Sequence, residues 1–420
     1  MTEKLYENNF YQRRTDATLI RADFYGDKTR LIFDRTIFFP TGGGQPCDTG
    51  MAGKYHIIDA YEDDNGDVVH ITCDIASANE AADILNTKLN LVIDWERRFM
   101  NMQRHLGEHM LTAAFHNLYD GANKGFHMSE DFITIDIELP EGGIMNDEMV
   151  LNAEAVANKT IYENLPVHVD YFNNADEASH MPSRKDINND MHLEGIVSVI
   201  TIGDKDKPYD CVPCCGTHPS STGEIGIIKV YKHEPNKGMT RIFFDAGMKA
   251  FERCRRDMDI LTEISDNFSC GQEDLIQRIS VKERKENKLR DSISKLSAYI
   301  TDKESKNIAS DIRNAKKCGL FEYNLESLDA DHALRLGFAA FSNIAGYELI
   351  DSVLLALIAN EGKTVLLLSN GMLDCGDIVK KKAHNFGGKG GGRPNNARAA
   401  FKNKSEAEAF LIELRTEYKA

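Results

Sequence analysis

The groups in this chain best suited to chemistry are two histidines and a cysteine–histidine pair. In Arg104-His105-Leu106-Gly107-Glu108-His109-Met110 the histidines stand four apart, and the surrounding residues predict a helix from about residue 101 to 118. Residues four apart on a helix share a face, so His105 and His109 can offer two imidazoles to one metal ion. Two ligands rarely hold zinc. Far downstream the chain reads Pro213-Cys214-Cys215-Gly216-Thr217-His218-Pro219, a turn-rich loop whose Cys214 and His218 supply the thiolate and imidazole that zinc prefers. Either motif alone arises often by chance; together on one chain they favour metal. The four residues are read as one site for one Zn2+ ion.

Composition bounds the rest. A chain of 420 residues is long enough for two to four domains and a sizeable core. Its 42% apolar and 28% charged content is that of a soluble globular protein. No apolar run is long enough to span a membrane, and Met1-Thr2-Glu3-Lys4 leads into no secretion signal. Nine irregularly spaced cysteines, three of them between Cys211 and Cys215, fit a reduced cytoplasm and a metal site better than a disulfide framework. A net charge of −16 argues mildly against nucleic acid as a partner. From Lys380 to Lys404, however, there are eight Lys or Arg residues and no Asp or Glu, a local patch that a nucleic acid could use.

The elements that must position these groups predict a multidomain α+β protein. Residues 1–95 read as a β-rich domain, with strand-like runs at Leu31-Ile32-Phe33 and Thr36-Ile37-Phe38-Phe39 and a small barrel expected. Pro40-Thr41-Gly42-Gly43-Gly44-Gln45-Pro46 then breaks the strand, its glycines allowing a close approach. Residues 96–247 mix helices and strands around the histidine helix, with a turn expected at Gly125-Phe126-His127-Met128. Residues 248–315 are highly charged. Apolar positions at Phe251, Cys254, Met258 and Leu261, then Leu289, Ile293, Leu296 and Ile300, step by three and four. They predict two antiparallel helices broken near Gly271, a helical arm that could serve as a homodimer surface. Residues 316–420 read as a small α/β domain, with a hairpin at Asn360-Glu361-Gly362 and a capping box of Ser405 and Glu408. Its tract Gly387-Gly388-Lys389-Gly390-Gly391-Gly392-Arg393 lets backbone N–H groups converge on an anion, with Lys389 and Arg393 beside them.

In order, the motifs resemble a known family. The glycine loop comes first, then Ile93-Asp94-Trp95-Glu96-Arg97-Arg98, the histidine helix and Gly125-Phe126-His127-Met128. Cys214-Cys215-Gly216-Thr217-His218 and Thr222-Gly223-Glu224-Ile225-Gly226 follow. This order resembles the free-standing alanyl-tRNA editing proteins, which are similar to the editing region of alanyl-tRNA synthetase. Gly390-Gly391-Gly392-Arg393-Pro394 resembles the glycine-rich motif of the DHH-associated domain, an RNA-binding module. The resemblance covers nearly the whole chain and matches the long form of the family.

The resemblance implies a cytoplasmic, zinc-dependent hydrolase that removes a wrong amino acid, serine or glycine, from tRNA(Ala). Carried onto this sequence, the zinc ligands are His105, His109, Cys214 and His218. Thr41, Gly43, Gly44, Gln45, Asn123 and His127 would lie at the aminoacyl pocket. Lys380, Lys381, Lys382, Lys389, Gly390, Gly391, Gly392 and Arg393 would contact RNA. Two residues depart from the family pattern. Cys215 stands where a glycine is usual, so Cys211 and Cys215 compete as the thiolate, although Cys214 keeps the spacing. Glu108 precedes the second histidine, a catalytic candidate that also completes the His-x-x-Glu-His motif of inverted zinc proteases. A metallopeptidase with Glu108 as general base is therefore an alternative. A non-catalytic RNA-binding protein stabilised by zinc is another, since four protein ligands suit a closed structural site.

Overall fold

The strand-forming residues near the N-terminus make one seven-stranded antiparallel sheet in a computed structural model that describes residues 1–185, 187, 196–315, 319–344 and 352–418. Its strands are β1 (Arg14–Tyr25), β2 (Lys28–Phe33), β3 (Gly50–Ala52), β4 (Tyr55–Ile57), β5 (Asp59–Glu62), β6 (Val68–Thr72) and β7 (Lys88–Ile93). They run in the order β4-β3-β7-β1-β2-β6-β5. The long strand β1 serves both halves, pairing with β7 through Arg14–Thr18 and with β2 from Leu19 onward. The edge strands β4 and β5 are consecutive in the chain, and Ile58 between them donates its N–H to the Ile71 carbonyl of β6 at 2.9 Å. The sheet is thus nearly closed around Leu19, Leu31, Phe33, Phe38 and Leu91. A fully buried Leu or Phe of this kind contributes about 2 kcal/mol.

One expected strand is corrected. Ile37, Phe38 and Phe39 are buried, but only Arg35–Thr36 pairs as strand. The N–H of Phe38 goes to Thr36 Oγ1 and that of Phe39 to Asp48 Oδ2. Side chains take the hydrogen bonds a neighbouring strand would otherwise receive.

Helix α1 (Trp95–Tyr119) starts earlier than residue 101 because Asp94 caps it, accepting from the Arg97 N–H. Two buried ion pairs fix its position. The Arg98 guanidinium binds Asp48, just beyond the glycine loop, and also donates to the carbonyls of Phe10 and Ile37. Arg104 binds Asp245 at 2.6 Å. Removing one partner of such a pair leaves an uncompensated charge, at about 3–5 kcal/mol. Behind α1 lie β8 (Ala122–Met128), β9 (Ile133–Glu138), α2 (Asp147–Tyr162), β10 (Val167–Phe172), β11 (Val197–Gly203), β12 (Pro208–Pro213), β13 (Ile228–Asn236) and β14 (Met239–Ala246). They form a sheet β8-β9-β14-β13 and a sheet β10-β11-β12. Leu106, Met110 and Phe115 of α1 share a core with Ile135, Ile242, Phe244 and Ala153. Gly107 makes this packing possible, since a Cβ there would stand 2.3 Å from Ala246 Cβ.

The stretch Gly125–Met128 is strand rather than turn: Phe126 faces Ile135 and His127 faces Thr134 across β9. The glycine belongs to a bulge between Asn123 and Gly125, where a Cβ would meet Asp136 Oδ2 at 2.9 Å.

The chain clusters into two units, Met1–Ile264 and Ser265–Ala420. The charged segment forms helices α3 (Gly247–Phe268) and α4 (Leu275–Asn314), interrupted around Gly271. The side chains of Leu289, Ile293, Leu296 and Ile300 lie exposed on α4. After it come β15 (Gly319–Asn324), α5 (Ala330–Ile344), β16 (Val353–Ala359), β17 (Thr364–Ser369), α6 (Cys375–Lys382), β18 (Lys389–Arg393), β19 (Asn396–Ala400) and α7 (Lys404–Glu417). The sheet order is β15-β16-β17-β19-β18, and Asn360, Glu361 and Gly362, all at positive φ, turn β16 into β17. The boundary expected at 315/316 abuts residues 316–318, outside the described set. Asn403, not Ser405, caps α7: it accepts from the Glu406 N–H while the Glu406 carboxylate accepts from Lys402 N–H.

Candidate metal centre

His105 and His109, one turn apart on α1, meet Cys214 and His218 from the loop that follows β12. Their ligand atoms all lie within 4.8 Å of one another. Cys214 Sγ is 3.4 Å from His105 Nε2 and 3.5 Å from His218 Nε2, and His218 Nε2 is 3.2 Å from His109 Nε2. A tetrahedral zinc site has edges of about 3.6 Å between sulfur and nitrogen and about 3.3 Å between nitrogens. These three edges fit that geometry, and the donor set is one that zinc takes. Of the competing thiols, Cys211 is buried against Thr201 Oγ1 and Cys215 is exposed. Only Cys214 joins the cluster.

Partners behind the ligands fix which ring nitrogen faces inward. His105 Nδ1 is 2.9 Å from Gln45 Oε1, an oxygen that also accepts from the Thr217 N–H. Gln45 Nε2 donates to Thr217 Oγ1. The amide is therefore fully engaged between the glycine loop, α1 and the Cys214 loop. His109 Nδ1 is 3.3 Å from Asp210 Oδ2, and Arg184 Nε donates to Asp210 Oδ1 at 2.7 Å. Burial pushes the Asp210 carboxyl up, but Arg184 and His109 together bring it below its ordinary value. Burial likewise opposes ionisation of Cys214, and the three surrounding imidazoles outweigh it, holding the thiol well below the usual range. The loop fits because residue 216 is glycine: a Cβ there would overlap the His105 ring.

A cavity of about 280 Å³ opens beside the cluster, lined among others by Gly43, Glu108, Asn123, Phe126, Arg184 and Lys185. Gly43 and Gly44, both at positive φ, let the loop lie against Cys215 and Phe126. The Phe126 ring stacks on His105, with centroids 5.5 Å apart. Glu108 is buried, its Oε1 accepting from Thr112 Oγ1 at 2.6 Å and from Asn123 Nδ2 at 2.8 Å. Thr41 and His127 are exposed and do not line this cavity; His127 alternates with Phe126 along β8. A second cavity, of about 860 Å³, also reaches Cys214 and Cys215 and is lined by Tyr6, Phe10 and Tyr171. Asp210 and Arg184 were missed at the sequence level, because neither stands in a spacing that marks it.

The C-terminal tract is an edge strand rather than a loop around an anion. Lys389–Arg393 pairs with β19, and two of its glycines are required, since a Cβ on Gly390 would lie 1.9 Å from the Arg398 carbonyl oxygen and one on Gly392 2.3 Å from that of Asn396. Lys381 pairs with Asp377, Lys382 with Glu413 and Glu417, and Lys404 with Glu326. Lys380, Lys389, Arg393, Arg398 and Lys402 are exposed and form no ion pair among the described residues.

Residues 197–243 match the threonyl and alanyl tRNA synthetase second additional domain, and residues 339–420 match the DHHA1 domain. The chain is 28% identical to the alanine–tRNA ligase of Methanobrevibacter smithii, with 98% of it aligned to 46% of the ligase. It thus spans about half the length of that relative. To the alanyl-tRNA editing protein Aarsd1-B of Xenopus laevis it is 29% identical, over 62% of this chain and 60% of that protein. To the alanyl-tRNA editing protein AlaX-L of Pyrococcus horikoshii it is 30% identical, over 99% of this chain and 98% of the relative. A likeness that runs end to end through a free-standing editing protein, and through only part of a ligase, shows that the chain belongs to the alanyl-tRNA editing protein family.

Proposed function

We propose that the chain is a trans-editing deacylase, hydrolysing the ester that joins serine, and also glycine, to tRNA(Ala). The observation that carries this is the four-ligand cluster opening onto a small cavity that Glu108, Asn123 and Arg184 also line. A volume of about 280 Å³ suits an aminoacyl group, and the second cavity, with Tyr6, Phe10 and Tyr171, suits a nucleoside that stacks on aromatic rings. His105, His109, Cys214 and His218 hold one Zn2+ ion per chain. When bound, zinc would polarise a carbonyl or lower the pKa of water. Gln45 and Asp210 keep His105 and His109 turned so that Nε2 faces the ion. An aminoacyl ester is already activated, so the protein need only place water and the ester together and stabilise the oxyanion.

The wider assignment follows the same reading. Residues 1–95 and 96–247 form the editing part, which works in the cytoplasm. Residues 248–315 are an arm whose exposed stripe joins two copies. Residues 316–420, through Lys380, Lys381, Lys382, Lys389, Gly390, Gly391, Gly392 and Arg393, bind tRNA. Serine is alanine plus a hydroxyl, so size cannot exclude alanine. A polar pocket that must pair with the hydroxyl can reject it, by roughly 10⁴-fold. Deacylation of Ser-, Gly- and Ala-tRNA(Ala) by the purified protein is the test. Ser-tRNA(Ala) should be cleaved and Ala-tRNA(Ala) spared; equal rates on both would overturn the proofreading assignment.

A further inference from the structure

We propose that Glu108 binds the α-ammonium group of the aminoacyl ester and so sets the pose of its carbonyl at the metal centre. The proposal rests on the deacylase reading above. Glu108 Oε1 is occupied by Thr112 and Asn123. Its Oε2 has no protein partner among the described residues, yet is not one of the sealed, unpaired buried atoms. Glu108 itself lines the cavity beside the four ligands. No Lys, Arg or His among the described residues lies within ion-pair distance of this carboxylate. A carboxylate so held, with one oxygen tied and the other without a partner among the described residues, is arranged for a cationic ligand.

The ligand's own geometry says where such a group must stand. In an aminoacyl ester the ammonium nitrogen is two bonds, about 2.5 Å, from the carbonyl carbon. A group that binds it must therefore border the centre that acts on the carbonyl, and Glu108 directly precedes His109. Thr112 and Asn123 fix the carboxylate from α1 and β8. Two cations share the cavity. Arg184 is committed to Asp210 at 2.7 Å. Lys185 has no carboxylate partner among the described residues, so the experiment must distinguish Glu108 serving the substrate from Glu108 neutralised by Lys185.

The test uses two esters that differ only at the α position: Ser-tRNA(Ala), and the same tRNA carrying the acyl group with hydroxyl in place of ammonium. Native protein should prefer the ammonium ester in kcat/KM by about 10–100-fold, the range of a charge-assisted hydrogen bond. Glu108→Gln keeps an oxygen for Thr112 and Asn123 but loses the charge. It should bring the two esters to within a few-fold, mainly by slowing the ammonium ester, and a native zinc content shows that the variant is folded. Asn123→Ala, which loosens the carboxylate without neutralising it, should weaken the preference less. A Glu108→Gln variant that slows both esters alike, or keeps the preference, would overturn the proposal. So would a change in the Ser-to-Ala ratio instead, since Glu108 would then read the side chain. A native protein indifferent to the α substituent would mean that Glu108 serves Lys185 and not the substrate. Native protein inert on both esters would overturn the deacylase reading itself.

Discussion

At the metal centre His105, His109 and His218 are each at most 3% exposed, whereas Lys389, Gly390, Gly391, Gly392 and Arg393 at the C-terminal edge strand are all exposed. The first region is overdetermined. Gln45 and Asp210 each hold one ring, and Gly216 leaves room for another residue's imidazole. The second region is redundant: on this strand and beside it Lys380, Lys389, Arg393, Arg398 and Lys402 are exposed and form no ion pair among the described residues. Buried groups fixed from several sides act as a unit, so losing one loses the function. Exposed charges act through a shared field and are lost in small, separable steps.

The largest effect expected from this contrast is at the ligands. A His105→Ala, Cys214→Ala double variant should lose its zinc and with it at least about 10³-fold in deacylation. Metal analysis alongside the assay decides this, and unchanged zinc content would rule out the ligand assignment. A second, smaller effect compares the centre with another buried histidine. His70 is wholly buried, near Thr36 Oγ1 and the Leu31 carbonyl, and desolvation pushes its pKa down to about 4. The unfolded chain takes up this proton first, near pH 6.5. Stability from this group is therefore complete above that pH and is lost as pH falls towards 4, by on the order of 3 kcal/mol. Denaturant unfolding followed by the single tryptophan, Trp95, should show a steeper loss in native protein than in His70→Asn; parallel pH profiles would contradict it. The smallest effect belongs to the exposed end. Lys389→Ala with Arg393→Ala should weaken tRNA binding several-fold and flatten its salt dependence by about one to two counterions. Titrations from low to moderate salt would show this, and an unaltered slope would place the tRNA elsewhere.

Much of this was legible in residue types. The histidine pair, the cysteine–histidine loop, the helix that carries the first and the hairpin at Asn360-Glu361-Gly362 follow from short-range rules of spacing and turn preference. What failed were assignments in which a side chain or a neighbouring strand overrode local preference. Phe38 and Phe39 look like strand, but Thr36 and Asp48 take their N–H groups. Gly125, Gly390 and Gly392 look like loop, but each lies where a partner strand comes too close for a Cβ. Gln45 looks like a pocket residue, yet its amide is consumed in holding His105 and Thr217.

The sequence by itself determined the ligand types and the face of α1 that presents two of them, because helical periodicity is a property of consecutive residues. It also determined that one end of an acidic chain is basic. Only the tertiary structure decided that Cys214, not Cys211 or Cys215, meets the histidines, since that depends on where β12 ends and which way the next residue turns. It alone placed Asp210 and Arg184 behind His109, residues 101 and 75 positions away along the chain from the histidine they orient. It alone brought Asn123 of β8 to the Glu108 oxygen that Thr112 also holds, at the wall of the cavity. Spacing along a chain fixes neighbours within a turn or two; which distant groups share a buried site is settled by packing, where most polar atoms taken from water must find partners.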